Sequence, residues 1–264
     1  MIEGKSAKKL LFKSGRIIDP FTKKTFNGDI LVENGKISKI SDSIPSRGKD
    51  YQIIDCKGLV VTHGFCDIHA HFREPGREDK ETLESGSFAA VAGGFTQVCT
   101  MANTDPIIDS PEHIHYIVSK SSKLPIDIFP IGAVSKGLKG EDLTEMLLMQ
   151  KNGAIAFSDD GMPIQNAQFM KLALTYAKML DVPIMNHAED IFLRNNGVMN
   201  ASATSNNLGL KGNTSLAEAV MVYRDLLLAQ SLGARLHLLH ISCLLYTSDA
   251  ADEGLGVDLG GRRI

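Results

Sequence analysis

The chain has 264 residues, of which 43% are hydrophobic and 22% charged, a mixture that excludes a disordered or collagen-like protein. Its 28 basic and 31 acidic residues give a net charge of −3, so neither nucleic acid nor an anionic membrane is expected as a partner. No apolar run approaches the ~18 residues of a membrane span, and the N-terminus lacks a signal-peptide core. The four cysteines form no C-x-x-C pair, which favours a reducing, cytoplasmic location.

Residues 1–58 predict a small β module. Short apolar runs alternate there with turn residues, among them Asn27-Gly28 and Asn34-Gly35. Asn-Gly between strand-like runs is a strong hairpin signal. We therefore expect a mostly antiparallel module with a hairpin at each pair.

Residues 59–243 change to an alternation of strands and helices. Six strands are predicted, at Leu59–Ile68, Phe95–Thr100, Ile126–Ile131, Ala154–Ser158, Val182–Asn186 and Arg235–Ile241. Five helices are predicted between them, at Thr82–Ala92, Pro111–Ser119, Asp142–Lys151, Asn166–Leu180 and Ser215–Leu232. This alternation indicates a parallel α/β architecture. An open doubly wound sheet fits the pattern equally well, although no glycine-rich phosphate loop follows the first strand.

Residues 244–264 break this alternation. A helix and a further strand should follow Ser242, but the segment is rich in glycine and has no amphipathic period. We favour a foreign tail joined to a native sequence that stops near Cys243, rather than a flexible terminus.

The first candidate site is the sequence Asp67-x-His69-x-His71 at the end of the first predicted strand. Residues i and i+2 share a face of a strand, so both imidazoles can reach one metal ion. The pair alone is a weak signal. A second pair, His113-x-His115, lies in a predicted helix, where i and i+2 diverge, and is not expected to bind.

Three later strands also end in candidate ligands: Asp159 and Asp160, His187, and His240. Active sites of parallel barrels lie at this end of the strands. The alternative is a set of ordinary polar residues at loop starts, but their joint occurrence with the histidine pair favours a metal site. His237 does not end its strand and is expected to be structural.

Strand alternation selects one of the two aspartates. One face carries the small residues Ala156 and Ser158 with Asp160, and the other carries Phe157 with Asp159. Small side chains suit the crowded centre of a barrel, so Asp160 is predicted to point inward. Four imidazoles and one carboxylate exceed the three protein ligands of one catalytic zinc. The surplus predicts two metals bridged by Asp160, a centre suited to hydrolysing an amide or forming one.

Arg73 follows His71 by two residues and is expected at the same edge. A guanidinium beside metal ions needs an anion, which predicts a substrate carboxylate. The alternative is a surface arginine paired with Glu74 or Glu78. Asn103, just past the second strand, is a candidate second contact, although asparagine is also a common turn residue.

The motifs DIHAHFREPG, TMANT, AFSDDG, NHAED and HIS, in this order and spacing, resemble the bacterial type I dihydroorotases of the amidohydrolase superfamily. The resemblance runs from about Ile17 to Ser242. It implies a metal-dependent (β/α)8 TIM barrel, here incomplete with about six βα units, and a small β-sandwich module. It also implies reversible, zinc-dependent conversion of N-carbamoyl-L-aspartate to L-dihydroorotate in pyrimidine synthesis.

The resemblance also assigns roles. It implies that two zinc ions are held by His69, His71, Asp160, His187 and His240, with the aspartate as the bridge. It implies further that Arg73 and Asn103 hold the substrate carboxylate. The family's catalytic aspartate belongs to an eighth strand that this chain lacks, so no catalytic residue is assigned and the chain as written is expected to be inactive.

Two alternatives stay open. One is a hydantoinase-like cyclic amidase, although such relatives commonly place a carboxylated lysine on the fourth strand and no lysine lies between Lys151 and Lys171. The other is a non-catalytic partner of aspartate transcarbamoylase. The intact enzyme is expected to be a homo-oligomer, with aspartate transcarbamoylase as a candidate partner.

Overall fold

The computed structural model describes residues 9–46 and 50–243, so the tail predicted at residues 244–264 lies outside the described residues. Contacts between Cα atoms divide the chain into two compact units between Gly64 and Phe65. The sequence placed this boundary after residue 58. Among the described residues, no helix combines the length and the apolar character needed to cross a membrane.

The first unit contains one sheet. Its five strands are β1 (Lys9–Asp19), β2 (Lys24–Glu33), β3 (Lys36–Ser41), β4 (Tyr51–Asp55) and β5 (Val60–Val61). Strand β2 pairs antiparallel with β1 and β3, whereas β4 and β5 both pair parallel with β1. The predicted hairpin at Asn34-Gly35 is confirmed, because both residues have positive φ, 54° and 73°, and join β2 to β3.

The hairpin predicted at Asn27-Gly28 is wrong. Both residues lie inside β2, where Asn27 pairs with Arg16 and Gly28 with Gly15. A Cβ atom on Gly28 would lie 2.8 Å from the backbone oxygen of Ser41. Glycine is therefore needed here for the close approach of two strands, and the chain reverses between β1 and β2 instead.

A buried carboxylate in β2, Asp29, bonds to β1 and to the segment after β3. It accepts the N–H groups of Ser14 and Ile44, each at 2.8 Å, and its Oδ2 lies 3.3 Å from Lys13 Nζ. Burial by itself raises the pKa of Asp29. The two N–H donors and Lys13 outweigh this effect and hold the pKa below its ordinary value.

Replacing Asp29 with asparagine is expected to lower the free energy of unfolding at pH 7 by about 1–3 kcal/mol, because its buried donors lose a charged acceptor. A carboxylate with a lowered folded pKa stabilises above its unfolded pKa of about 4, and this stabilisation disappears as the pH falls through the folded value. Calorimetry should therefore show a gap in Tm between wild type and variant that shrinks toward about pH 2. The exposed Asp42→Asn is the control. A gap that does not depend on pH would contradict this account.

The described residues of the second unit form eight further strands. They are β6 (Phe65–Ala70), β7 (Phe95–Thr100), β8 (Asp127–Gly132), β9 (Ala156–Phe157), β10 (Ile184–His187), β11 (Met199–Asn200), β12 (Gly212–Asn213) and β13 (Leu236–Leu239). All except β11 and β12 form one parallel sheet in the order β13-β10-β9-β8-β7-β6. This confirms the six predicted strands and the α/β class.

Among the described residues, seven α-helices and one 3-10 helix (Lys136–Leu138) accompany this sheet. The α-helices are α1 (Leu83–Ala92), α2 (Pro111–Ser121), α3 (Met146–Lys151), α4 (Ala167–Met179), α5 (Ile191–Arg194), α6 (Ala203–Asn207) and α7 (Leu216–Leu232). Side chains of Thr82, Ser110 and Asn166 accept backbone N–H groups at the starts of α1, α2 and α4. Helices α5 and α6, with β11 and β12, occupy residues 188–214, for which the sequence predicted no elements.

Two predicted elements have different bounds. The apolar run Leu59–Ile68 is divided between β5 in the first unit and β6 in the second, because an apolar run does not show where a chain changes sheets. The helix predicted from Asp142 begins at Met146 instead. The N–H group of Thr144 donates to the carbonyl of Val134, just after β8, at 3.0 Å. The residues before Met146 are therefore bonded to the segment after β8 and do not join the helix.

Candidate metal centre

All five predicted ligands meet at the carboxyl ends of the parallel strands. His69 lies in β6 and His71 follows that strand directly, whereas Asp160 comes shortly after β9. His187 ends β10, and His240 follows β13. Parallel strands present their carboxyl ends at one edge of a sheet, which brings together residues far apart in the sequence.

Asp160 lies between two histidine pairs. Its Oδ2 atom is 3.4 Å from Nε2 of His69 and 3.5 Å from Nε2 of His71. Its Oδ1 atom is 2.9 Å from Nε2 of His240 and 3.7 Å from Nδ1 of His187. Each carboxylate oxygen therefore faces one pair, which defines a first group (His69, His71, Asp160) and a second group (Asp160, His187, His240).

The donor atoms fit a divalent metal ion in each group. Within a group they all lie within 4.8 Å of one another, and the Nε2 atoms of His69 and His71 are 3.2 Å apart. Among the described residues, the buried Nδ1 atom of His187 has no hydrogen-bond partner. Imidazole nitrogens and a shared carboxylate are the ligands that zinc and similar ions take.

Burial also favours the neutral form of two of these imidazoles. It is the largest effect that lowers the pKa values of His69 and His187, and the neighbouring His240 lowers both further. Asp160 acts in the opposite direction but does not cancel the decrease. Neutral imidazole is the form that binds a metal ion, so the site favours binding.

The second aspartate, Asp159, has a different environment. Its Oδ1 atom accepts the N–H groups of Val134 at 2.7 Å and Ser135 at 3.0 Å, and the Ser135 hydroxyl donates to Oδ2. Burial raises the pKa of Asp159 to about 6. Asp159 therefore stabilises the segment after β8 through hydrogen bonds, whereas Asp160 lies among the imidazoles.

Asn103 contacts a predicted ligand. Its Nδ2 donates to the Asp160 carbonyl at 3.4 Å, and its Oδ1 lies 3.0 Å from Nδ1 of His71. With the amide in this orientation, Oδ1 accepts a hydrogen bond from the Nδ1–H group of His71, which leaves the Nε2 lone pair for a metal. The sequence did not reveal this contact. The predicted contact of Asn103 with substrate stays a prediction.

Arg73 is half-buried, and within the described part of the chain its guanidinium makes no hydrogen bond or ion pair. The two acids considered as its partners are engaged elsewhere. Glu74 pairs with Lys120, and Glu78 accepts the Gly76 N–H at 3.0 Å. The Arg73 guanidinium is therefore available to an anionic ligand.

The other histidine pair lies on α2, apart from the two ligand groups. His113 Nδ1 is 3.5 Å from Asp109 Oδ1, and His115 Nε2 is 3.1 Å from the Ser119 hydroxyl. Neither histidine belongs to a described group of candidate metal ligands.

A family model described as Dihydro-orotase-like matches residues 58–244. The chain belongs to this family. It is 44% identical over 234 residues to the dihydroorotase of Solibacter usitatus, covering 88% of this chain and 54% of that protein. It is 45% identical over 235 residues to the dihydroorotase of Syntrophus aciditrophicus, covering 89% of this chain and 55% of that protein. The chain thus spans about half the length of the curated relatives it matches.

Solved structures establish the fold of this family member. The L-hydantoinase (dihydropyrimidinase) of Arthrobacter aurescens aligns with a TM-score of 0.74 and 22% identity, over 89% of this chain and 53% of that one. A D-hydantoinase (dihydropyrimidinase) from Thermus sp. aligns with a TM-score of 0.65. The likeness confirms an amidohydrolase-type barrel, of which the described residues form six consecutive strands.

Proposed function

We propose that this chain is the metal-binding and substrate-binding half of a dihydroorotase, which interconverts L-dihydroorotate and N-carbamoyl-L-aspartate. The observation that carries the proposal is the placement of Asp160 between two histidine pairs, in a member of the dihydroorotase-like family. The likeness to hydantoinases concerns the fold alone. Identity of 44–45% to named dihydroorotases favours the dihydroorotase reaction over a hydantoinase-like one.

We assign one zinc ion to the first group and one to the second, because three nitrogen and oxygen donors per ion suit catalytic zinc. Bound zinc supplies Lewis-acid activation of water and of the substrate amide carbonyl. The protein orients the ligands. Asn103 bonds to the ring of His71, His187 is the last residue of β10, and His240 directly follows β13.

Arg73 is the proposed anchor of the substrate carboxylate. A planar guanidinium binds a carboxylate through two parallel hydrogen bonds, which fixes the orientation of the ring to be opened. Asn103 is the proposed second contact, since its Nδ2 makes only long bonds, 3.4 and 3.5 Å, to Asp160.

The proposal extends to the complete enzyme as a cytoplasmic homo-oligomer, with aspartate transcarbamoylase as a candidate partner. The cysteine usage of the sequence supports this location, because its four cysteines form no C-x-x-C pair.

The reaction is tested in a chimera, because the chain spans about half of its relatives. Residues 1–242 are joined to the remaining C-terminal part of the Syntrophus aciditrophicus relative. We expect hydrolysis of dihydroorotate and little turnover of hydantoin. Turnover of hydantoin alone would support the hydantoinase-like alternative. An inactive chimera that binds no zinc would support the non-catalytic one.

Replacing Arg73 with alanine in this chimera is expected to raise KM for dihydroorotate about 10- to 100-fold, the effect of losing a charge-assisted hydrogen bond of about 1.5–3 kcal/mol. Zinc content should not change. Arg77→Ala is the matched control, because Arg77 lies nearby and its Nε pairs with Asp79 at 2.9 Å. Equal effects of the two substitutions on KM would contradict the assignment.

A further inference from the structure

Helix α7 contacts the chain beside each ligand of the second group. Its polar residues Glu218, Arg224 and Asp225 bond to segments next to His240, Asp160 and His187. None of these three helix residues lies among the candidate ligands.

Glu218, in the first turn of α7, binds the turn that follows β13. Its carboxylate accepts the Ser242 N–H at 3.0 and 3.2 Å, the Ser242 hydroxyl at 2.8 Å and the Cys243 N–H at 3.0 Å. One side chain thus fixes three donor groups just beyond His240, across 24 and 25 positions of sequence. Hydrogen bonds to an ionised acceptor are the stronger kind.

His240 depends on this turn for its orientation. Its backbone has φ of 55°, in the left-handed region, and its side chain is 46% exposed. The ring meets those of His69 and His187 edge-on, at centroid distances of 4.7 and 4.8 Å, but the left-handed backbone persists only where neighbouring contacts hold it. Strand β13 holds the residues before His240, and Glu218 holds those after it.

The same helix also bonds to the chain near the other two ligands of the group. Asp225 is fully buried and accepts a hydrogen bond from Asn186 Nδ2 at 2.6 Å, directly before His187. The Arg224 guanidinium donates to the carbonyl oxygens of residues 164 and 165, in the segment after Asp160, at 2.8 Å each. Asp225 is fully buried, whereas Glu218 and Arg224 are half-buried, and of these three residues Glu218 is the one that bonds to the turn after His240.

We infer that Glu218 is a positioning residue for the second group, holding the turn that directs the His240 imidazole toward Asp160. This inference rests on the proposed metal centre. It predicts that loss of the Glu218 carboxylate weakens ion binding at the second group and not at the first.

The test is titration of the 264-residue chain with Co²⁺, followed by visible absorption and by calorimetry. Glu218→Ala is expected to weaken the ion bound by the second group about 10- to 100-fold, the usual effect of removing an outer-shell partner. Glu218→Gln keeps the shape of the side chain and one acceptor oxygen, so it should weaken Co²⁺ binding at the second group less. Glu84→Ala is the matched control, since Glu84 is also an acid in the first turn of a helix.

The outcomes separate the two proposals. A wild-type chain that binds no Co²⁺ overturns both the metal centre and this inference. Wild-type binding that both Glu218 variants retain with unchanged affinity overturns the inference alone. Equal weakening of both ions also overturns it, because a general loss of structure produces that pattern. If Glu218→Ala fails to fold, Glu218→Gln decides, with unchanged Co²⁺ affinity overturning the inference and selective weakening supporting it.

Discussion

Replacing Asp160 with alanine is expected to abolish binding of divalent ions at both groups. Among the described residues each group offers two other candidate ligands, and in each of them one oxygen of Asp160 faces the histidine nitrogens. The loss of affinity should exceed the about 10- to 100-fold effect typical of an outer-shell residue. A bound ion at about 1,000 times its Kd stabilises a protein by about 4 kcal/mol. Thermal unfolding with Zn²⁺ should therefore show this stabilisation in the wild type and none in the variant.

The matched control for Asp160 is Asp109→Ala. Asp109 also faces a histidine nitrogen, at 3.5 Å from His113, but lies outside both groups. Its substitution should leave Zn²⁺ binding unchanged. If Asp160→Ala retained two ions with wild-type affinity, the proposed centre would be refuted.

The largest loss of stability is expected from Phe157→Ala. Phe157 is fully buried in the two-residue strand β9, which pairs with β8 on one side and β10 on the other. A Cβ atom on the neighbouring Gly132 would lie 2.9 Å from the Phe157 ring, so the ring fills its space closely. Truncating a buried phenylalanine leaves a cavity and costs about 3–5 kcal/mol. Urea unfolding measures this change directly.

Phe192→Ala provides the comparison for Phe157, because Phe192 is 79% exposed on α5 of the same unit. Its effect should stay within about 0.5 kcal/mol. The Phe157 variant should also bind metal ions more weakly, since Asp160 follows β9 closely. A loss below about 1 kcal/mol at Phe157 would show that the core repacks around the missing ring.

The parts of the fold that the sequence predicted well, and the placement of the candidate ligands, depend on local patterns. The bounds Phe95–Thr100 of β7 agree with the predicted strand, because turn residues flank an apolar run. The period of two along a strand brings His69 and His71 together and distinguishes Asp160 from Asp159. These signals need only neighbouring residues.

The parts that the sequence missed depend on contacts between distant residues. Asn103 bonds to His71 across 32 positions, and nothing near either residue indicates it. The elements at residues 188–214 are too short to give a periodic pattern. Asn27-Gly28 has the composition of a turn, yet it lies in β2 because the Ser41 backbone passes close to the glycine. At that position tertiary packing outweighs the local preference of Asn-Gly for a turn.

A carboxylate shared by two ligand groups makes their affinities interdependent. Thermodynamic linkage requires that an ion in either group change the binding free energy at the other by the same amount. Electrostatic repulsion between the two cations weakens binding of the second ion. A first ion that fixes the Asp160 side chain strengthens binding of the second, because less conformational freedom is then lost. The larger of the two effects sets the sign of the cooperativity. In the proposed metal centre, a substitution at His71 is therefore expected to change ion binding at His187, although the two histidines face different oxygens of Asp160.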